Sequence, residues 1–314
     1  MNTYLGLELG GTKLLIGEVD ENGNILQYKR YASGFFNQHA ALGIIKASLD
    51  DYINTIGFYN GQKPQAIGIG LIGRVDTAKG VWLQIDTHRT DQIELARSIE
   101  MIYGLPCRID NDVKSATRAE RVWGAGQYSK NFVYINVGTG IAVGTVVNGR
   151  QIRGSHFNAG EAGHMTVGVN VGVKCECGRM DCVEAIASIT GFDKCARLLR
   201  ERYETSLNIP DEEGTLVDVE EIIRLSRQGD PLCVVLVENA VEAIANLIMN
   251  MVRVTDPDTV VLGGDIFSDG YMYDKILWKL NPTTMRFVTQ GVTLTRLNPQ
   301  FIGLLGACAV AMDK

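Results

Sequence analysis

The apolar and polar residues at the start of the chain follow a pattern typical of a β-meander. Apolar runs at residues 4–9 and 14–19 flank Gly10-Gly11-Thr12, and an Asn-Gly pair at 22–23 precedes a third extended run at 24–28. Short apolar runs separated by glycine turns and an Asn-Gly pair predict strands joined by tight hairpins. We therefore expect three antiparallel strands at this end of the chain.

The same pattern recurs in the middle of the chain. Apolar runs at residues 132–137 and 142–147 flank Gly138-Thr139-Gly140, and Asn148-Gly149 leads into a short run at 151–153. A repeated unit of this size indicates a duplicated α/β fold with a ligand cleft between its halves. The alternative is a chance recurrence of two glycine hairpins, which are common in proteins.

Helices are predicted between and after these strands. They cover residues 40–56, 93–103, 113–123, 183–202 and 231–254. Asp230 before Pro231 starts the longest of them, and the Asp-Pro pair at 256–257 stops it. A further buried strand at 259–262 ends at Gly263-Gly264.

Composition and charge exclude several classes of protein. The chain has 314 residues and a net charge of −6, with 30 Lys and Arg residues against 36 Asp and Glu residues. An acidic chain without a dense basic run is not expected to bind nucleic acid. The N-terminal residues lack the features of a signal peptide, and no apolar run approaches the roughly 18–20 residues of a membrane span. We therefore predict a cytoplasmic protein with no membrane partner.

Four residues have the spacing of a closed zinc site. His164, Cys175, Cys177 and Cys182 follow the pattern H-x10-C-x-C-x4-C and include three of the seven cysteines. Three thiolates and one imidazole complete a tetrahedral Zn²⁺ shell and leave no position for water, so the predicted zinc is structural. The alternative is a group of free buried cysteines beside an unrelated histidine.

Two glutamates flank this predicted zinc site. Glu161 precedes His164 by three residues, and Glu184 follows Cys182 by two. Metal coordination would hold both carboxylates in a fixed relation, and a fixed carboxylate is a good acceptor for vicinal hydroxyl groups. Each glutamate taken alone is more typical of a solvated surface acid.

Three glycine turns are candidates for contact with a ligand. Gly10-Gly11-Thr12-Lys13 and Gly138-Thr139-Gly140 can present backbone N–H groups and a hydroxyl to phosphate oxygens, and Gly263-Gly264 lets a flat ligand approach the backbone. Ordinary hairpin turns are the alternative for each. Gly68-x-Gly70-x-x-Gly73 matches the dinucleotide fingerprint, but a turn and a hairpin follow it instead of a helix, so we reject that interpretation.

Asp112 is the candidate general base. It follows Asn111 at the end of a short predicted strand and stands at the start of a predicted helix. A carboxylate there can accept the proton of an attacking hydroxyl group during phosphoryl transfer. A role as an N-terminal helix cap is equally compatible with the spacing.

Together these motifs resemble the ROK family of bacterial sugar kinases and repressors, within the actin-like and hexokinase-like superfamily. The most specific part is Glu161-x-Gly-His164 followed by Cys175-x-Cys177-Gly-x-x-x-Cys182-x-Glu184. The resemblance implies an α/β fold of two actin-like, ribonuclease-H-like domains with a ligand cleft between them. We assign residues 1–113 plus 300–314 to the smaller domain and 114–299 to the larger domain, which carries the zinc loop.

The resemblance also implies a reaction and its ligands. It implies transfer of the γ-phosphoryl group of ATP, accompanied by Mg²⁺, to a hydroxyl group of a hexose or hexose derivative, with Asp112 as the base. Homodimers or homotetramers are usual in the family. The sugar would contact Asn111, Glu161, His164 and Glu184. The ATP phosphates would contact Gly10, Gly11, Thr12, Lys13, Gly138, Thr139 and Gly140, and the adenosine would lie by Gly263 and Gly264.

Several positions depart from the usual family pattern. Glu8 stands where an Asp normally precedes the first phosphate loop, Lys114 where an Asn follows the base, and Asp181 where a Gly precedes the last cysteine. The loop at residues 84–91 lacks the Pro-Asn pair of family kinases, so glucose is not the first expected substrate. The His-Arg pair of this loop either contacts a different sugar or belongs to an exposed surface loop.

Two functions fit the sequence. The first is an ATP-dependent sugar kinase. The second is a catalytically weak or inactive sugar-binding regulator of the same family, without a DNA-binding domain because the first strand starts at about residue 4. Glu8 and Lys114 favour the regulator, whereas an intact Asp112 and two phosphate turns favour the kinase.

Overall fold

The two repeated sequence patterns correspond to two separate units of the computed structural model, which describes residues 1–11, 13–34, 36–212 and 214–312. The first unit comprises residues 1–128, Arg153–Ala159 and the chain from Arg296 onward. The second unit comprises Ser129–Ile152 and Gly160–Thr295.

The described residues contain twelve strands and ten α-helices. The strands are β1 (Thr3–Leu9), β2 (Lys13–Asp20), β3 (Ile25–Ala32), β4 (Ile67–Leu71), β5 (Arg74–Asp76), β6 (Val81–Gln84), β7 (Cys107–Asn111), β8 (Phe132–Val137), β9 (Ile141–Val147), β10 (Arg150–Gln151), β11 (Thr259–Gly263) and β12 (Val292–Leu294). The helices are α1 (Gln38–Thr55), α2 (Leu95–Tyr103), α3 (Asp112–Val122), α4 (Val183–Ala187), α5 (Ile189–Leu199), α6 (Val219–Arg227), α7 (Pro231–Thr255), α8 (Tyr271–Lys279), α9 (Pro282–Met285) and α10 (Ile302–Ala311).

Each unit is built on a five-stranded sheet of the same design. The sheet of the first unit has the order β3-β2-β1-β4-β7, and that of the second has the order β10-β9-β8-β11-β12. In both, three consecutive antiparallel strands are extended by two parallel strands. The predicted meanders and the predicted duplication are therefore confirmed.

The first unit is longer than the first predicted domain, which ended at residue 113 and resumed at 300. It also contains helix α3 and the segment Arg153–Ala159. Helix α3 belongs there because it packs closely on α10: a Cβ atom at Gly306 of α10 would lie 2.6–2.8 Å from the backbone of Ser115 and Ala116.

The predicted helix at 183–202 is interrupted at Ser188, which separates α4 from α5. Ser188 has an extended backbone, and its hydroxyl oxygen accepts a hydrogen bond from Gly191 N–H at 2.9 Å as an N-terminal cap. The break also frees the Ile189 N–H, which donates to the Gly138 carbonyl at 2.9 Å. The start of α5 is thereby fixed to the glycine turn that joins β8 to β9.

Helix α7 is the central helix of the second unit. Within the part of the chain that the structure describes, it is the one helix long and apolar enough to cross a membrane, with a mean hydropathy of 1.8 over its most apolar window. Most of that window is buried, and residues such as Leu236, Ile244 and Ile248 lie in the hydrophobic core of the unit. We therefore interpret α7 as a core helix.

The glycines of the Gly68-x-Gly70-x-x-Gly73 motif have structural roles in the first unit. A Cβ atom at Gly68 in β4 would overlap the Ala307 carbonyl group of α10, so glycine lets the helix pack directly on the strand. Gly73 has a φ angle of +84°, which favours glycine, and a Cβ atom there would overlap backbone atoms of Gln84 and Ile85.

Replacement of Gly68 by Ala is expected to destabilise the protein by about 2–3 kcal/mol, because α10 must move away from the sheet. Gly70→Ala is the matched control in the same strand, since its Cβ atom would meet its nearest neighbour, Ser115 Oγ, at an ordinary 3.6 Å. Urea unfolding of both variants measures the difference. Equal losses of stability would contradict this account of the motif.

Candidate active site and metal centre

Four potential metal ligands of the second unit converge on one point. The ligand atoms of His164, Cys175, Cys177 and Cys182 all lie within 4.8 Å of one another. The Cys177 and Cys182 sulfurs are 3.6 Å apart, and the Cys175 sulfur is 3.4 Å from His164 Nδ1. Zn–S bonds of about 2.3 Å in a tetrahedral site require sulfurs roughly 3.7 Å apart. These four residues therefore fit a zinc ion.

Asp181, which stands where the sequence pattern suggests glycine, has a backbone conformation that favours glycine. Its φ angle is +54°, a region that Asp tolerates better than most residues because its short side chain can bond to nearby backbone. Here Asp181 Oδ1 accepts hydrogen bonds from the N–H groups of Val171, Gly172 and Val173 at 3.2, 2.8 and 2.9 Å. The aspartate therefore fixes the loop that leads into Cys175.

Glu184 joins the metal cluster to the glycine turn between β8 and β9. One carboxylate oxygen, Oε2, accepts a hydrogen bond from Ile141 N–H at 2.8 Å, and the other, Oε1, lies 3.8 Å from His164 Nδ1. A Cβ atom at Gly140 would lie 2.6 Å from Glu184 Oε2, so this contact requires glycine. Glu184, which is predicted to contact the sugar, thus lies between His164, a predicted metal ligand, and Gly138-Thr139-Gly140, a predicted phosphate loop.

Glu161 and His164 occupy a single short turn. Residues Ala162–His164 form one turn of 3₁₀-helix, and the Glu161 carbonyl accepts a hydrogen bond from His164 N–H at 3.2 Å. Glu161 is exposed, whereas the His164 ring is partly buried. Because Nδ1 faces the cysteine sulfurs, the Nε2 side of the ring is available to a ligand when a metal is bound.

The second glycine turn is fixed by three hydrogen bonds. Gly138 N–H donates to the Gly140 carbonyl at 2.9 Å, and the Gly138 carbonyl accepts from Ile189 N–H at the same distance. The Thr139 carbonyl accepts from Thr190 Oγ1 at 2.9 Å, while Thr139 itself is exposed. A turn fixed in this way can bind phosphate oxygens without reorganising.

A cavity of about 450 Å³ in the second unit is lined in part by Asp265 and Ile266, the two residues that follow Gly263-Gly264 in the sequence. Gly264 has a φ angle of +116°, and a Cβ atom there would overlap the Val137 carbonyl, so the close approach requires glycine. The cavity is lined by aliphatic and acidic side chains that include Ile189, Ile223, Ile266, Asp218 and Asp265. Its volume falls in the range of roughly 300–1,000 Å³ that is typical of small-ligand sites.

The sequence interpretation missed the residues of this cavity at 217–223. Asp218 caps α6 by accepting a hydrogen bond from Glu220 N–H at 2.9 Å. An Asp before an amphipathic helix could have located the start of α6, but nothing in the sequence relates it to Asp265 and Ile266. Only the packing of the unit brings them together.

In the first unit, Asp112 is held in a fixed orientation at the start of α3. Its Oδ1 atom accepts hydrogen bonds from Asn111 Nδ2 and from Val113 N–H, both at 2.8 Å. Asn111 is the N-terminal cap of the helix, because its Oδ1 accepts from Lys114 N–H at 3.1 Å and its Nδ2 also donates to the Gly73 carbonyl at 2.9 Å. The cap is therefore Asn111, and Asp112 occupies the first helical position.

The first glycine turn has an open environment. Gly10 N–H donates to the Lys13 carbonyl at 2.9 Å, and both Gly11 and Lys13 are exposed. A Cβ atom at Gly11 would meet nothing within 4 Å. Thr12, the remaining predicted phosphate contact of this turn, lies outside the described residues.

Glu8 is an acid beside Asp112 whose carboxyl group is largely buried. Burial, and after it the negative charge of Asp112, raises the pKa of Glu8 to about 7, although the charges of Arg30 and Lys13 oppose the shift. A Cβ atom at Gly303 would overlap the Glu8 carboxyl group. The glycine in α10 thus accommodates a side chain one methylene longer than the usual aspartate.

The loop at residues 84–91 is internally bonded. The Arg89 guanidinium donates from Nε to Asp86 Oδ2 at 2.8 Å and from a terminal nitrogen to the Phe36 carbonyl at 2.9 Å. Gln38, which is fully buried, donates to the Arg89 carbonyl at 3.0 Å. The ion pair with Arg89 lowers the pKa of Asp86. Arg89 therefore holds the loop together.

Duplicated α/β units with a conserved strand order define an actin-like, ribonuclease-H-like fold, which confirms the predicted fold class. The glycine turns and the Cys-His cluster are also the motifs by which the sequence resembles the ROK family. The model of the ROK family matches residues 4–314, so the chain belongs to that family.

The chain is similar in sequence to two glucokinases and in fold to a transcriptional regulator. The chain is 25% identical over 322 residues to a glucokinase from Thermotoga maritima, covering 99% of this chain and 97% of that protein. A ROK family glucokinase from Streptomyces griseus, solved with glucose and AMPPNP, has 26% identity and a TM-score of 0.75, with 99% of both chains covered. A ROK family transcriptional regulator homologous to the E. coli MLC protein has a TM-score of 0.83, 24% identity and coverage of 98% and 77%; this last likeness shows the fold alone.

Replacement of Cys182 by Ser is expected to abolish binding of zinc, because a closed Cys₃His site loses one of its three thiolates. The purified wild-type protein should contain one zinc ion per chain, measured by elemental analysis. Cys195→Ala is the control, since Cys195 is buried in the same core outside the cluster. Full zinc content in the Cys182 variant would contradict the assignment.

The Glu8→Gln variant is expected to gain stability relative to the wild-type protein as the pH rises from 5 to 8, with no ligand bound. A carboxyl group whose pKa is raised to about 7 keeps its proton in the folded state while the unfolded chain releases it near 4.5. The contribution of Glu8 to the free energy of unfolding therefore falls by about 2–3 kcal/mol between pH 5 and pH 8, and Gln removes this loss.

The measurement for Glu8 is urea unfolding of wild type and variant at both pH values. The difference between the two proteins should grow in favour of Gln from pH 5 to pH 8. Parallel stability profiles would show that Glu8 titrates normally.

Proposed function

We propose that this chain is an ATP-dependent sugar kinase that transfers the γ-phosphoryl group to a hydroxyl group of a hexose or hexose derivative. The observation that carries the proposal is the contact of Glu184 with both the metal cluster and the turn after β8. It joins a candidate sugar site to a candidate phosphate site. Family membership and the relatives named as glucokinases support the same reaction.

Asp112 is the proposed general base. Its Oδ1 atom is fixed by Asn111 and Val113, which leaves the carboxylate pre-oriented to accept the proton of a sugar hydroxyl group. In phosphoryl transfer the proton can move late, so the base needs no raised pKa.

The sugar is proposed to bind to Glu161, His164, Glu184 and Asn111. The carboxylates of Glu161 and Glu184 would accept hydrogen bonds from sugar hydroxyl groups, and the His164 ring would offer Nε2. The cluster of His164 with three cysteines would bind structural zinc and hold this part of the site rigid. Asn111 Nδ2 donates twice within the protein and Oδ1 accepts from Lys114 N–H, so a sugar hydroxyl group would donate to the second lone pair of Oδ1.

ATP is proposed to bind through the glycine turns, Gly263-Gly264 and the cavity lined by the next two residues, Asp265 and Ile266. The turns at residues 10–13 and 138–140 would donate backbone hydrogen bonds to phosphate oxygens, and the aliphatic walls of the cavity would contact the adenine. Glu8 would supply a carboxylate oxygen of the kind that Mg²⁺ prefers. Bound Mg²⁺ would neutralise negative charge on the phosphates.

The proposed partners are small molecules and further copies of the chain. We propose a homodimer or homotetramer in the cytoplasm. The net charge of −6 disfavours nucleic acid as a partner.

A sugar-binding regulator is the second candidate function. Glu8 and Lys114, which stand at positions that depart from the kinase pattern, support this candidate. Such a protein would bind sugar without sugar-dependent ADP release.

Replacement of Asp112 by Asn is expected to lower turnover by about 10²–10⁴-fold while sugar affinity changes little, because the proton acceptor is lost and the shape is kept. ADP release from ATP and Mg²⁺ is measured across hexoses, N-acetylhexosamines and ketoses, and sugar affinity by calorimetry. Asp211→Asn, at an exposed carboxylate, is the control.

Sugar-dependent ADP release that is lost in the Asp112 variant alone supports the kinase and identifies its substrate. Sugar binding without any ADP release by the wild-type protein favours the regulator. A variant that loses sugar binding as well would make Asp112 a binding residue instead of the base.

A further inference from the structure

In the first unit, the residues just before and just after Asn111-Asp112 both form hydrogen bonds to one other segment of the chain. This segment, residues 153–159, is called the strap below. Asp110, just before the pair, accepts hydrogen bonds at 2.7 and 2.6 Å from the two terminal nitrogens of Arg153. Lys114, just after the pair, donates from Nζ to the Phe157 carbonyl at 3.0 Å.

Both anchors of the strap are buried charges. The Asp110 residue is 1% exposed and Lys114 is 6% exposed. A buried charge is costly unless it is paired and hydrogen-bonded. A cation in the first turn of a helix is unfavourable in addition, because that end of the helix dipole is positive. The hydrogen bond to the Phe157 carbonyl offsets part of these costs. Loss of either anchor would remove a buried contact that holds the strap.

The strap has a constrained backbone and leads directly into the candidate sugar site. Phe157 has a φ angle of +59°, which is rare for a bulky residue and is maintained only by surrounding contacts. Ala159 N–H closes the strap by donating to the Arg153 carbonyl at 3.1 Å. The next residue, Gly160, accepts a hydrogen bond from Val143 N–H at 2.8 Å, and Glu161 follows.

We propose that Lys114 is a positioning residue for the sugar substrate, acting through the Phe157 carbonyl and the strap. Its contact fixes the strap against the turn that carries Asn111 and Asp112, the two residues of the first unit that are proposed to meet the sugar, and the chain continues from the strap to Glu161. The inference rests on the proposed sugar-kinase function. It gives a role to the lysine that departs from the family pattern, and the role requires a cation of this length instead of a short amide.

The test compares Lys114→Met, Lys114→Arg and the wild-type protein. Met keeps the volume and burial of the side chain without the charge, so the variant should fold. The KM for the best sugar and its Kd from calorimetry should rise about tenfold, because a charged hydrogen bond is lost, while the KM for ATP stays within about twofold. Lys114→Arg should recover most of the sugar affinity. Lys63→Met, at an exposed lysine, is the control.

A purely structural role would lower the thermal midpoint and leave the ratio of the two KM values unchanged, which would overturn the proposal. So would a Met variant with wild-type sugar affinity. Calorimetry separates this test from the proposed reaction. If the wild-type protein binds sugar but releases no ADP, the kinase function fails, while weaker sugar binding by Lys114→Met still supports the positioning role. If Arg153→Lys weakens sugar binding in the same direction, the strap is the common cause; unchanged binding would contradict it.

Discussion

The hydrogen bond from Ile141 N–H to Glu184 is the interaction that links the two parts of the candidate site in the second unit, the cysteine loop and the glycine turn. It fastens α4, which follows the last cysteine, to the first residue of β9, which follows the glycine turn. The absence of a side chain at Gly140 makes the approach possible. Because the Glu184 carboxylate lies against both His164 and Ile141, a displacement of the cysteine loop would also displace the glycine turn.

In the first unit, glycine residues and the Asn111 side chain connect the scaffold to the candidate base. Its glycines at 68 and 303 allow α10 to lie against β4 and against the Glu8 side chain, so small residues again set how closely two elements approach. Polar contacts then orient the catalytic candidate: Asn111 caps α3 and bonds to Asp112 with the same side chain. In both units, backbone packing fixes the scaffold and one polar side chain links it to the site.

The fold could be predicted from the sequence further than the site could. Apolar runs, glycine turns and Asn-Gly pairs are local signals, and they identified both meanders and their duplication. The Cys-His spacing is also local, and the structure brings its four members together. The break at Ser188 was missed because the helical pattern continues across it, while the cavity residues near Asp218 come from distant segments. The bond of Arg153 to Asp110 joins residues 43 positions apart, and no short-range pattern reveals it.

The aspartate at position 181 has a consequence for how far the cysteine loop depends on its metal. Its carboxylate occupies the ring of N–H groups at 171–173, so part of the cysteine loop is ordered by bonds that require no ion. The fold of this loop is therefore expected to depend less on zinc than that of small zinc domains, which are unfolded without metal.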